Sequence, residues 1–375
     1  MVRVPASVGG VADLDGRQVL RAPHVGRLTV AESKARPTMK DVARHASVSV
    51  STVSYVLNGT GPVSQERRER VLEAVKMLSY TPNEAARGLR QRSAPTVGLI
   101  VPDLTNPYFA MIAEGVERYS SERDALVVLC APEVAGTSSS EPTTTRLLRS
   151  QRLSGCIFLS GASAVPRSLM ELTELGPVVL VDELLPGFGL PAVVSDNRSG
   201  ARAVAAHVLS MGHRRVGIIG GPSTLWSSHQ RLAGYREAFA SGGIEPDSIP
   251  LEVGDYRQES GFDAARLLME RSSGSDRITA LVCANDLMAV GAIEYLRSQS
   301  LRVPEDVSVV GFDDVPFARS LTPRLTTVRQ PAHDMGARAA ELLFSLLENP
   351  DMSPPDYEPL PVELMVRDSV QPPRA

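Results

Sequence analysis

A row of short hydroxyl side chains and one tyrosine lies in the segment VSTVSYVLNG, residues 50–59. The segment is otherwise helical in pattern, although serine and threonine are indifferent helix formers because their hydroxyls compete for backbone hydrogen bonds. Helical spacing puts Ser51 and Tyr55 one turn apart on one face. The pattern therefore predicts a short helix that touches a polar partner at close range.

Patterns that would support catalysis are missing from the sequence. It contains no phosphate loop, no G-x-S-x-G segment and no His/Cys cluster with metal-ligand spacing, and its six histidines are scattered. Cys130, Cys156 and Cys283 each lie in an apolar run, so we expect buried reduced thiols. We predict that the protein is not an enzyme and needs no metal or cofactor.

Composition places the 375-residue chain among globular proteins of two or three domains, with 43% hydrophobic residues. No apolar run reaches the roughly 18–20 residues of a membrane span. The N-terminal residues lack the apolar block of a secretory signal. We therefore expect a cytoplasmic protein with no membrane partner.

Charge is distributed unevenly along the chain. The overall formal charge of −4 argues by itself against a nucleic-acid partner. Residues 38–92, however, contain nine Lys and Arg against five acidic residues, a net +4, so the rest of the chain carries −8. A small basic segment on a large acidic body is typical of a DNA-reading module attached to a domain that does not touch DNA.

Three short helices are predicted within the basic segment. The first two, in MKDVARHA and VSTVSYVL, are joined by a tight turn. Ser64 is expected to cap the third, QERRERVLEAVKMLSY, whose apolar stripe is Val71, Leu72, Val75 and Leu78. This arrangement predicts a helix-turn-helix unit.

Apolar strands alternate with helices from Thr96 onward. The strand-like runs are TVGLIVP, ALVVLC, GCIFLS, VVLVD, RVGIIG, ALVCAN and VSVVGFD. Strands so uniformly apolar are buried on both faces, as in a parallel α/β sheet. About 280 residues of such units exceed one sheet, which predicts an α/β core of two parallel-sheet subdomains beside a small all-α domain.

A family resemblance covers roughly residues 38–370. The segment from MKDVARHASVSVSTVSYVLNG to TPNEAARGLR resembles the DNA-binding and hinge segment of LacI/GalR-type transcription regulators. The similarity continues through TVGLIVPDLTNPYF, GHRRVGIIGGP, RLAGYREAF, CANDLMAVGAIEYL, VPEDVSVVGFDD and PRLTTVRQP. It implies a homodimer with a periplasmic-binding-protein-like core that binds a near-palindromic operator under control of a small-molecule effector.

The expected organisation has four parts. Residues 1–37 are a disordered extension, or the result of a start codon assigned too early. Residues 38–81 are the helix-turn-helix domain, 82–94 the hinge helix or linker, and 95–375 the effector-binding and dimerisation core. Within the core, we expect the chain to cross between subdomains near 194–197 and 322–328.

The resemblance places Val50, Ser51 and Tyr55 on the recognition helix, facing the major groove. A hydroxyl can bond a base edge or a phosphate, and a tyrosine can also pack on a thymine methyl. Many relatives carry arginine at the Tyr55 position, so we expect a different operator base there. Alternatively, Ser51 and Thr52 cap the helix and Tyr55 packs on the third helix; for Thr52 and Ser54, phosphate contact and capping are equally supported.

The segment PNEAARGLR matches the family hinge, which folds into a helix on DNA. Its leucine is then expected to wedge between base pairs in the minor groove, and its arginines to contact phosphates. A plain flexible linker with an incidental leucine is the alternative. The predicted DNA contacts of this segment, together with a lysine of the first helix, are Asn83, Ala86, Arg87, Leu89, Arg90 and Lys40.

Effector contacts are implied at the carboxyl ends of the core strands, where ligands bind in such folds. An aromatic pair after the first strand resembles the stack that covers a sugar or base ring, although either ring is alternatively a core residue. Three polar residues match family positions that hydrogen-bond the ligand. With two residues of the loop before RLAGY, the predicted effector contacts are Tyr108, Phe109, Asp196, Trp226, His229, Asn285 and Asp313. Asp286 and Asp314 are instead expected to cap helices.

One departure from the family pattern bears on the effector. Sugar-binding relatives often carry R-x-R where this chain has His229-Gln230-Arg231. With Trp226, the single tryptophan, nearby, this favours a nucleobase, a modified sugar or an acidic metabolite over an ordinary sugar. His229 is alternatively an exposed loop residue, and Trp226 a residue that packs a lid.

These patterns predict a cytoplasmic, nucleoid-associated transcription regulator that binds DNA sequence-specifically. We expect a repressor under the control of a small molecule, with a sugar or a related metabolite as the candidate effector. The alternative is a solute-binding receptor of a transport system with no DNA role.

Overall fold

The computed structural model describes residues 37–58, 61–78, 80, 94–130, 143–150, 152–160, 167–272, 274–353 and 359–374. The predicted extension 1–37 and the hinge 82–94 fall almost entirely outside these ranges. The chain divides into two compact units, one up to Ser93 and one from Ala94 onward. Among the described residues, no helix is long and apolar enough to cross a membrane.

The first unit consists of the three predicted helices, α1 (Met39–His45), α2 (Val50–Asn58) and α3 (Gln65–Met77). Thr38 starts α1 with a capping box, because its hydroxyl accepts the Asp41 amide while the Asp41 carboxylate accepts the Thr38 amide. The start of α3 differs from the prediction, since the Ser64 side chain makes no capping hydrogen bond.

The core of this unit is formed by small and β-branched side chains. Val42, Val53 and Val71 are fully buried, one from each helix. Leu72 was wrongly assigned to the apolar stripe of α3, because it is 51% exposed. Ala74 is buried in that stripe instead, three positions after Val71 and on the same helix face.

The second unit contains two parallel sheets, as predicted, and every predicted strand is present. The first sheet has the order β2-β1-β3-β4-β5 and the second β7-β6-β8-β9. The strands of the first sheet are β1 (Thr96–Ile100), β2 (Leu126–Cys130), β3 (Gly155–Leu159), β4 (Val178–Val181) and β5 (Ala192–Val193). Those of the second sheet are β6 (Val216–Gly220), β7 (Leu251–Val253), β8 (Ala280–Cys283) and β9 (Ser308–Val310). Strands β5 and β7 were not predicted, because two or three residues carry too little pattern.

Helices cover both sheets and complete two lobes. The first lobe, built on the first sheet, has α4 (Pro107–Ser121), α5 (Thr143–Arg149), α6 (Arg167–Leu175) and α11 (Ala332–Glu348). The second lobe, built on the second sheet, has α7 (Asn197–Ser210), α8 (Trp226–Ser241), α9 (Gln258–Arg271) and α10 (Asp286–Ser298). Short 3₁₀ turns lie at Pro246–Ser248, Gly274–Asp276 and Pro316–Arg319.

Helices α4 and α11 approach very closely in the first lobe. A Cβ on Gly115 would lie 2.0 Å from the His333 carbonyl oxygen, and one on Gly336 would lie 2.0 Å from that of Ile112. Glycine at both positions therefore allows the two backbones to meet. This packing holds α4 and α11 against each other in the first lobe.

The chain links the lobes at several points. It leaves β5 at Val193 and enters α7 at Asn197, and it returns after β10 (Thr327–Arg329) to α11. The C-terminal strand β11 (Glu363–Met365) pairs antiparallel with β10. The chain crosses a third time between α11 and β11. Leu360 of this third connection forms a β-bridge with Ser195 of the first connection.

The three cysteines are buried and free, which confirms the prediction for them. Burial raises the pKa of the Cys156 thiol to about 12. A thiol in such surroundings stays protonated and inert at neutral pH.

Candidate functional sites

Helix α2 presents a mixed polar and apolar face on the surface of the first unit. Val53 and Val56 are buried in the core of this unit. On the other face, Val50 and Tyr55 keep 42% and 47% of their surface exposed, and Ser51 is exposed as well. The side chains of that face are therefore free to contact a partner.

Hydroxyl groups at the start of α2 bond to one another. Ser49 Oγ lies 2.7 Å from Ser51 Oγ and 2.8 Å from Thr52 Oγ1, and it accepts the Thr52 amide at 3.1 Å. Ser49 therefore caps the helix, and the interpretation of Ser51 and Thr52 as its caps is wrong. Ser54 is half-buried on the same helix.

The ring of Tyr55 lies against Gly61 in the turn before α3. Gly61 has a φ of +88°, and a Cβ there would lie 3.1 Å from Tyr55 Cγ. Glycine satisfies both the left-handed backbone and the close approach of the ring. The turn thus supports one side of Tyr55 and leaves the other side exposed.

Basic side chains on the surface of the first unit include Lys40, which is exposed on α1. Arg67, Arg70 and Lys76 are exposed on α3. The other predicted DNA contacts lie outside the described residues; they are Asn83, Ala86, Arg87, Leu89 and Arg90.

In the second unit, polar side chains from both lobes meet at the carboxyl ends of the two sheets, a place that we call the cleft. Some of these side chains come after β1, β4 and β9. Others lie at or near the start of α7 and α8, or come after β10. All have at most 7% of their surface exposed. We call the following set the buried polar cluster: Tyr108, Asp182, Glu183, Ser195, Asn197, Ser227, Arg231, Asp313 and Gln330.

The predicted aromatic pair lies in the first turn of α4. Asn106 caps that helix by accepting the Tyr108 amide at 3.0 Å, and the Tyr108 hydroxyl donates to Asp182 Oδ1 at 2.7 Å. Burial raises the pKa of Asp182, and Arg231 partly offsets that rise. The Phe109 ring lies 5.7 Å from that of Tyr108 and is half-buried, so it is the more accessible of the two.

Arg231 is the cation at the centre of the cluster. Its guanidinium donates to Asn197 Oδ1 at 2.7 Å and to the Ala284 carbonyl at 2.5 Å, and it lies 3.4 Å from Asp313 Oδ1. It also lies 4.0 Å above the Phe312 ring. These contacts occupy the guanidinium on several sides while its side chain is 4% exposed.

Asp313 connects Arg231 to the segments that cross between the lobes. Gln330 donates to Asp313 Oδ1 at 2.8 Å and accepts a short hydrogen bond from the Ser195 hydroxyl. Burial raises the pKa of Asp313 to about 7, although Arg231 favours the ionised form. The cluster is thus hydrogen-bonded to the crossing segments on both sides.

Four cluster or neighbouring residues have left-handed backbones without being glycine. The φ angles are +74° at Asp182, +71° at Tyr256, +115° at Asp313 and +54° at Asp314. Each residue follows a strand, namely β4, β7 or β9. Such backbones cost about 1–3 kcal/mol each and concentrate at ligand sites, which favours this cleft as a binding site.

Glu183 reaches across the cleft from the first lobe to the second. Its carboxylate accepts the Ser227 amide at 3.1 Å and, in a short hydrogen bond, the Ser227 hydroxyl. Burial, and then the neighbouring Asp182 charge, raise the pKa of Glu183 to about 7. Beside it, the hydroxyls of Ser228 and Tyr256 lie 2.7 Å apart.

Two predicted effector residues serve as helix caps. Asn285 accepts the Met288 amide at 2.9 Å and donates to the Tyr256 carbonyl at 3.0 Å. Asp196 accepts the Ser199 amide at 3.0 Å. Both side chains have partners within the protein, and their contact with a ligand stays a prediction.

The prediction that Asp286 and Asp314 cap helices is wrong. Asp286 accepts the Val315 amide at 2.9 Å and the Thr327 hydroxyl at 2.6 Å, because Asn285 takes the cap position of α10. Asp314 forms ion pairs with two arginines of the crossing and C-terminal segments, at 2.8 Å and 2.5 Å. Both carboxylates join separate segments around the cleft.

Trp226 and His229, predicted in a loop before RLAGY, lie instead in the first turn of α8, and they differ in exposure. Trp226, the first residue of α8, is half-buried. His229 is exposed, unlike every other predicted effector residue. The structure therefore places Tyr108 and Asp313 in the buried polar cluster and leaves His229 at the surface.

Sequence reasoning missed seven members of the cluster as site residues, namely Asp182, Glu183, Ser195, Asn197, Ser227, Arg231 and Gln330. A signal existed for the first two, because they directly follow the apolar strand VVLV, as Asp313 follows VSVVGF. Asn197, Arg231 and Gln330 are joined to the site by contacts with residues far away in sequence, which no local pattern indicates.

An open depression of about 510 Å³ lies at the ends of β6 and β7, lined by Pro222, Ser223, Gly254, Asp255 and Ser260 among others. It shares no residue with the buried polar cluster. Within the ranges that the structure describes, no group of three His, Cys, Asp or Glu side chains is placed to hold a metal ion.

Comparisons with known proteins give one family match in each of the two compact units. The family model described as bacterial regulatory proteins, lacI family, matches residues 38–83. The model of a periplasmic binding protein-like domain matches residues 205–370. The first match covers α1 to α3, and the second covers most of the second lobe and the returning segment.

Individual relatives match along most of the chain. The HTH-type transcriptional repressor CytR of Escherichia coli K12 is 33% identical over 311 residues, which are 83% of this chain and 90% of CytR. A complex of the transcriptional regulator CelR with cellobiose has a TM-score of 0.66 and 34% identity, covering 89% of this chain and all of that one.

The lac repressor dimer bound to operator and the anti-inducer ONPF has a TM-score of 0.75. It is 27% identical and covers 89% of this chain and 99% of that one. The alternative of a transport receptor without a DNA role is not supported, since the matched relatives are repressors and the helix-turn-helix model matches. Because a repressor is 33% identical over 83% of this chain and both domain models match, the chain belongs to the LacI family of bacterial transcription regulators.

Proposed function

We propose that this chain represses transcription as a homodimer that binds a near-palindromic operator and responds to a small molecule in the cleft between its lobes. Membership of a regulator family supports this role. The observation that carries the proposal is the exposed face of α2, where Val50, Ser51 and Tyr55 face outward from a packed three-helix unit.

Helix α2 is then the element that enters the major groove. Ser51 and Tyr55 contact base edges, and Val50 packs against a thymine methyl. Thr52 and Ser54, nearer the helix sides, and Lys40 on α1 contact phosphates. A tyrosine held on Gly61 presents one hydroxyl at a fixed height above the helix, and this favours recognition of a single base pair.

The hinge completes the DNA contacts in this proposal. Leu89 wedges into the minor groove, where an apolar side chain and new backbone contacts offset an unstacking cost of a few kcal/mol. The residues assigned to the surrounding backbone and phosphate contacts are Asn83, Ala86, Arg87 and Arg90. Family resemblance of the segment PNEAARGLR supports these roles.

The cleft binds the effector. Its carboxyl groups accept hydrogen bonds and Arg231 donates them, so a polyhydroxylated ligand finds partners on both sides. CelR, which is 34% identical, binds cellobiose, and this supports a sugar or a related metabolite. Five further residues contact the ligand, at the rim of the cleft or at the ends of the ligand: Phe109, Asp196, Trp226, His229 and Asn285.

Ligand binding changes the lobe arrangement, and hence whether the two hinges of a dimer can fold on DNA. A coupling free energy of about 1–3 kcal/mol changes operator affinity 5–150-fold. The ligand is bound and released unchanged, as expected of a regulator. Because its target is DNA, we place the protein in the bacterial cytoplasm, at the nucleoid.

Selection from a random double-stranded DNA library with the full-length chain tests the proposal. We expect enrichment of one inverted repeat, because a two-fold symmetric dimer reads two half-sites. A library carried through the same rounds without protein is the control. No enrichment would refute operator binding, and a single unsymmetrical half-site would refute the homodimer.

A further inference from the structure

Glu183 caps a helix that belongs to the other lobe. It follows β4 in the first lobe and is 2% exposed, while Ser227, which donates its amide and hydroxyl to the carboxylate, is the second residue of α8. Helix α8 has no side-chain cap of its own, since Leu225 occupies the cap position. The carboxylate from across the cleft therefore satisfies the start of a 16-residue helix.

The place that Glu183 fills offers hydrogen-bond donors to a carboxyl group. A helix N-terminus combines free amide donors with the positive end of the helix dipole. Here the Ser227 hydroxyl adds a further donor, and Arg231 lies one turn along the same helix. In this structure a carboxyl group of the protein itself occupies these donors.

The charge around this position leaves no room for a second anion. Asp182 precedes Glu183, and Asp313 lies 3.4 Å from the Arg231 guanidinium. Among the buried residues that the structure describes, Arg231 is the one arginine or lysine, and it lies near all three carboxyl groups. A ligand carboxylate or phosphate would meet these groups with no cation left to pair with it.

We propose that Glu183 sets the charge class of the effector: its carboxyl group occupies the donors at the start of α8, so the cleft takes neutral or amine-bearing polyhydroxylated ligands and excludes ligands with a carboxylate or phosphate at that end. The inference rests on the proposed function, because it concerns the ligand of the same cleft. It decides among the effector classes indicated by the sequence, and it excludes an acidic metabolite.

Acetate provides the test, because it has the size and charge of the group that Glu183→Ala removes. Thermal unfolding of the full-length chain is followed in increasing sodium acetate, against sodium chloride at equal ionic strength. We expect a saturable rise in the Tm of Glu183→Ala of about 2 °C or more over chloride. The wild-type Tm should show no difference between the two salts.

Two control variants sharpen the result. Glu183→Gln keeps the space filled and should show no acetate response. Glu174→Ala removes an exposed carboxylate on α6 and should behave as wild type. If Glu183→Ala does not fold, Glu183→Ser opens most of the same space and carries the same test.

An equal acetate response in wild type and Glu183→Ala would overturn the inference, because the anion would then bind elsewhere. No response in either protein would overturn it as well, since the start of α8 would not hold an anion. This result can be distinguished from a failure of the proposed function. If the proposed function is wrong, the wild-type protein selects no operator, whereas the acetate response is measured without DNA.

Discussion

The face of α2 and the buried polar cluster use similar residue types in opposite surroundings. On α2, Ser51 and Tyr55 are exposed, and the Ser51 hydroxyl bonds to the exposed hydroxyl of Ser49 rather than to a buried group. In the cluster, Ser227 and Tyr108 are buried, and their hydroxyls donate to carboxylates of the protein. A hydroxyl at the surface can be replaced at little cost in stability, whereas a buried one leaves an unsatisfied partner behind.

Because of this difference, we expect the exposed face of α2 to serve DNA recognition and the buried polar cluster to contribute to stability. Substitutions on α2 should change DNA binding and leave unfolding almost unchanged. Substitutions in the cluster should destabilise the second unit, because each removed group leaves a buried charge or polar atom without its hydrogen-bond partner. Trp226, the single tryptophan, lies in the second lobe, so its fluorescence reports on unfolding of that unit.

The largest effect is expected from Arg231→Ala. The substitution leaves Asp313, Asn197 and the Ala284 carbonyl without their buried donor. The free energy of unfolding should fall by about 3–5 kcal/mol in urea denaturation followed by Trp226 fluorescence. Arg198→Ala, which removes a half-exposed ion pair with Glu237, is the matched control and should cost less than about 1 kcal/mol. Equal losses for both variants would show that burial of Arg231 in the cluster adds nothing to stability beyond a surface ion pair.

Glu183 should make stability depend on pH. Its pKa in the folded protein is raised to about 7 from an ordinary value of 4.5, so the folded state holds the proton more tightly than the unfolded state. The resulting stabilisation is fully present below about pH 4.5 and is lost as the pH rises through 7.

Between pH 5 and 8, the free energy of unfolding of wild type should therefore fall by up to about 3 kcal/mol relative to Glu183→Gln. Comparing the two proteins at each pH cancels His213, whose pKa is lowered by burial and whose contribution has the opposite sign. Parallel pH profiles would show that Glu183 does not titrate in this range.

The same substitution in both regions gives the sharpest contrast. Tyr108→Phe removes the donor to Asp182 and should cost about 1–3 kcal/mol in urea denaturation. Tyr55→Phe removes an exposed hydroxyl and should change the free energy of unfolding by less than about 0.5 kcal/mol. A larger loss for Tyr55→Phe than for Tyr108→Phe would reverse the assignment of the two tyrosines.

The smallest effect is expected from Lys40→Ala. An exposed lysine that contacts one phosphate contributes about one unit to the slope of log affinity against log salt. The variant should bind the selected operator and random DNA with equally reduced affinity and a slope lower by about 1. Glu66→Ala, at an exposed acidic position of α3, is the control. A change in sequence preference would show that Lys40 reads bases.

Local patterns in the sequence predicted the framework well. Apolar runs such as GCIFLS and VVLVD marked strands, since buried parallel strands are apolar on both faces. Helix α2 was placed from about Val50 to Leu57 and extends to Asn58. Leu72 was misplaced because helical spacing alone does not distinguish the edge of a buried stripe from its centre.

The site was predicted less completely, because burial of a charge depends on partners far away in sequence. Glu183 meets Ser227 across 44 positions, and Arg231 meets Asp313 across 82. Neither contact has a local signal. Asn285 was correctly placed at the end of a strand, but its cap role follows from the geometry of α10.

The affinity of wild type and Tyr55→Ala for the selected operator, and for random duplex DNA of equal length at one salt concentration, tests the central claim most directly. The account predicts that Tyr55→Ala weakens operator binding about 10- to 100-fold, the value of one good base contact, while its affinity for random DNA stays within about twofold. An equal loss on both DNAs, or no loss on the operator, would contradict the claim that the exposed face of α2 reads the sequence.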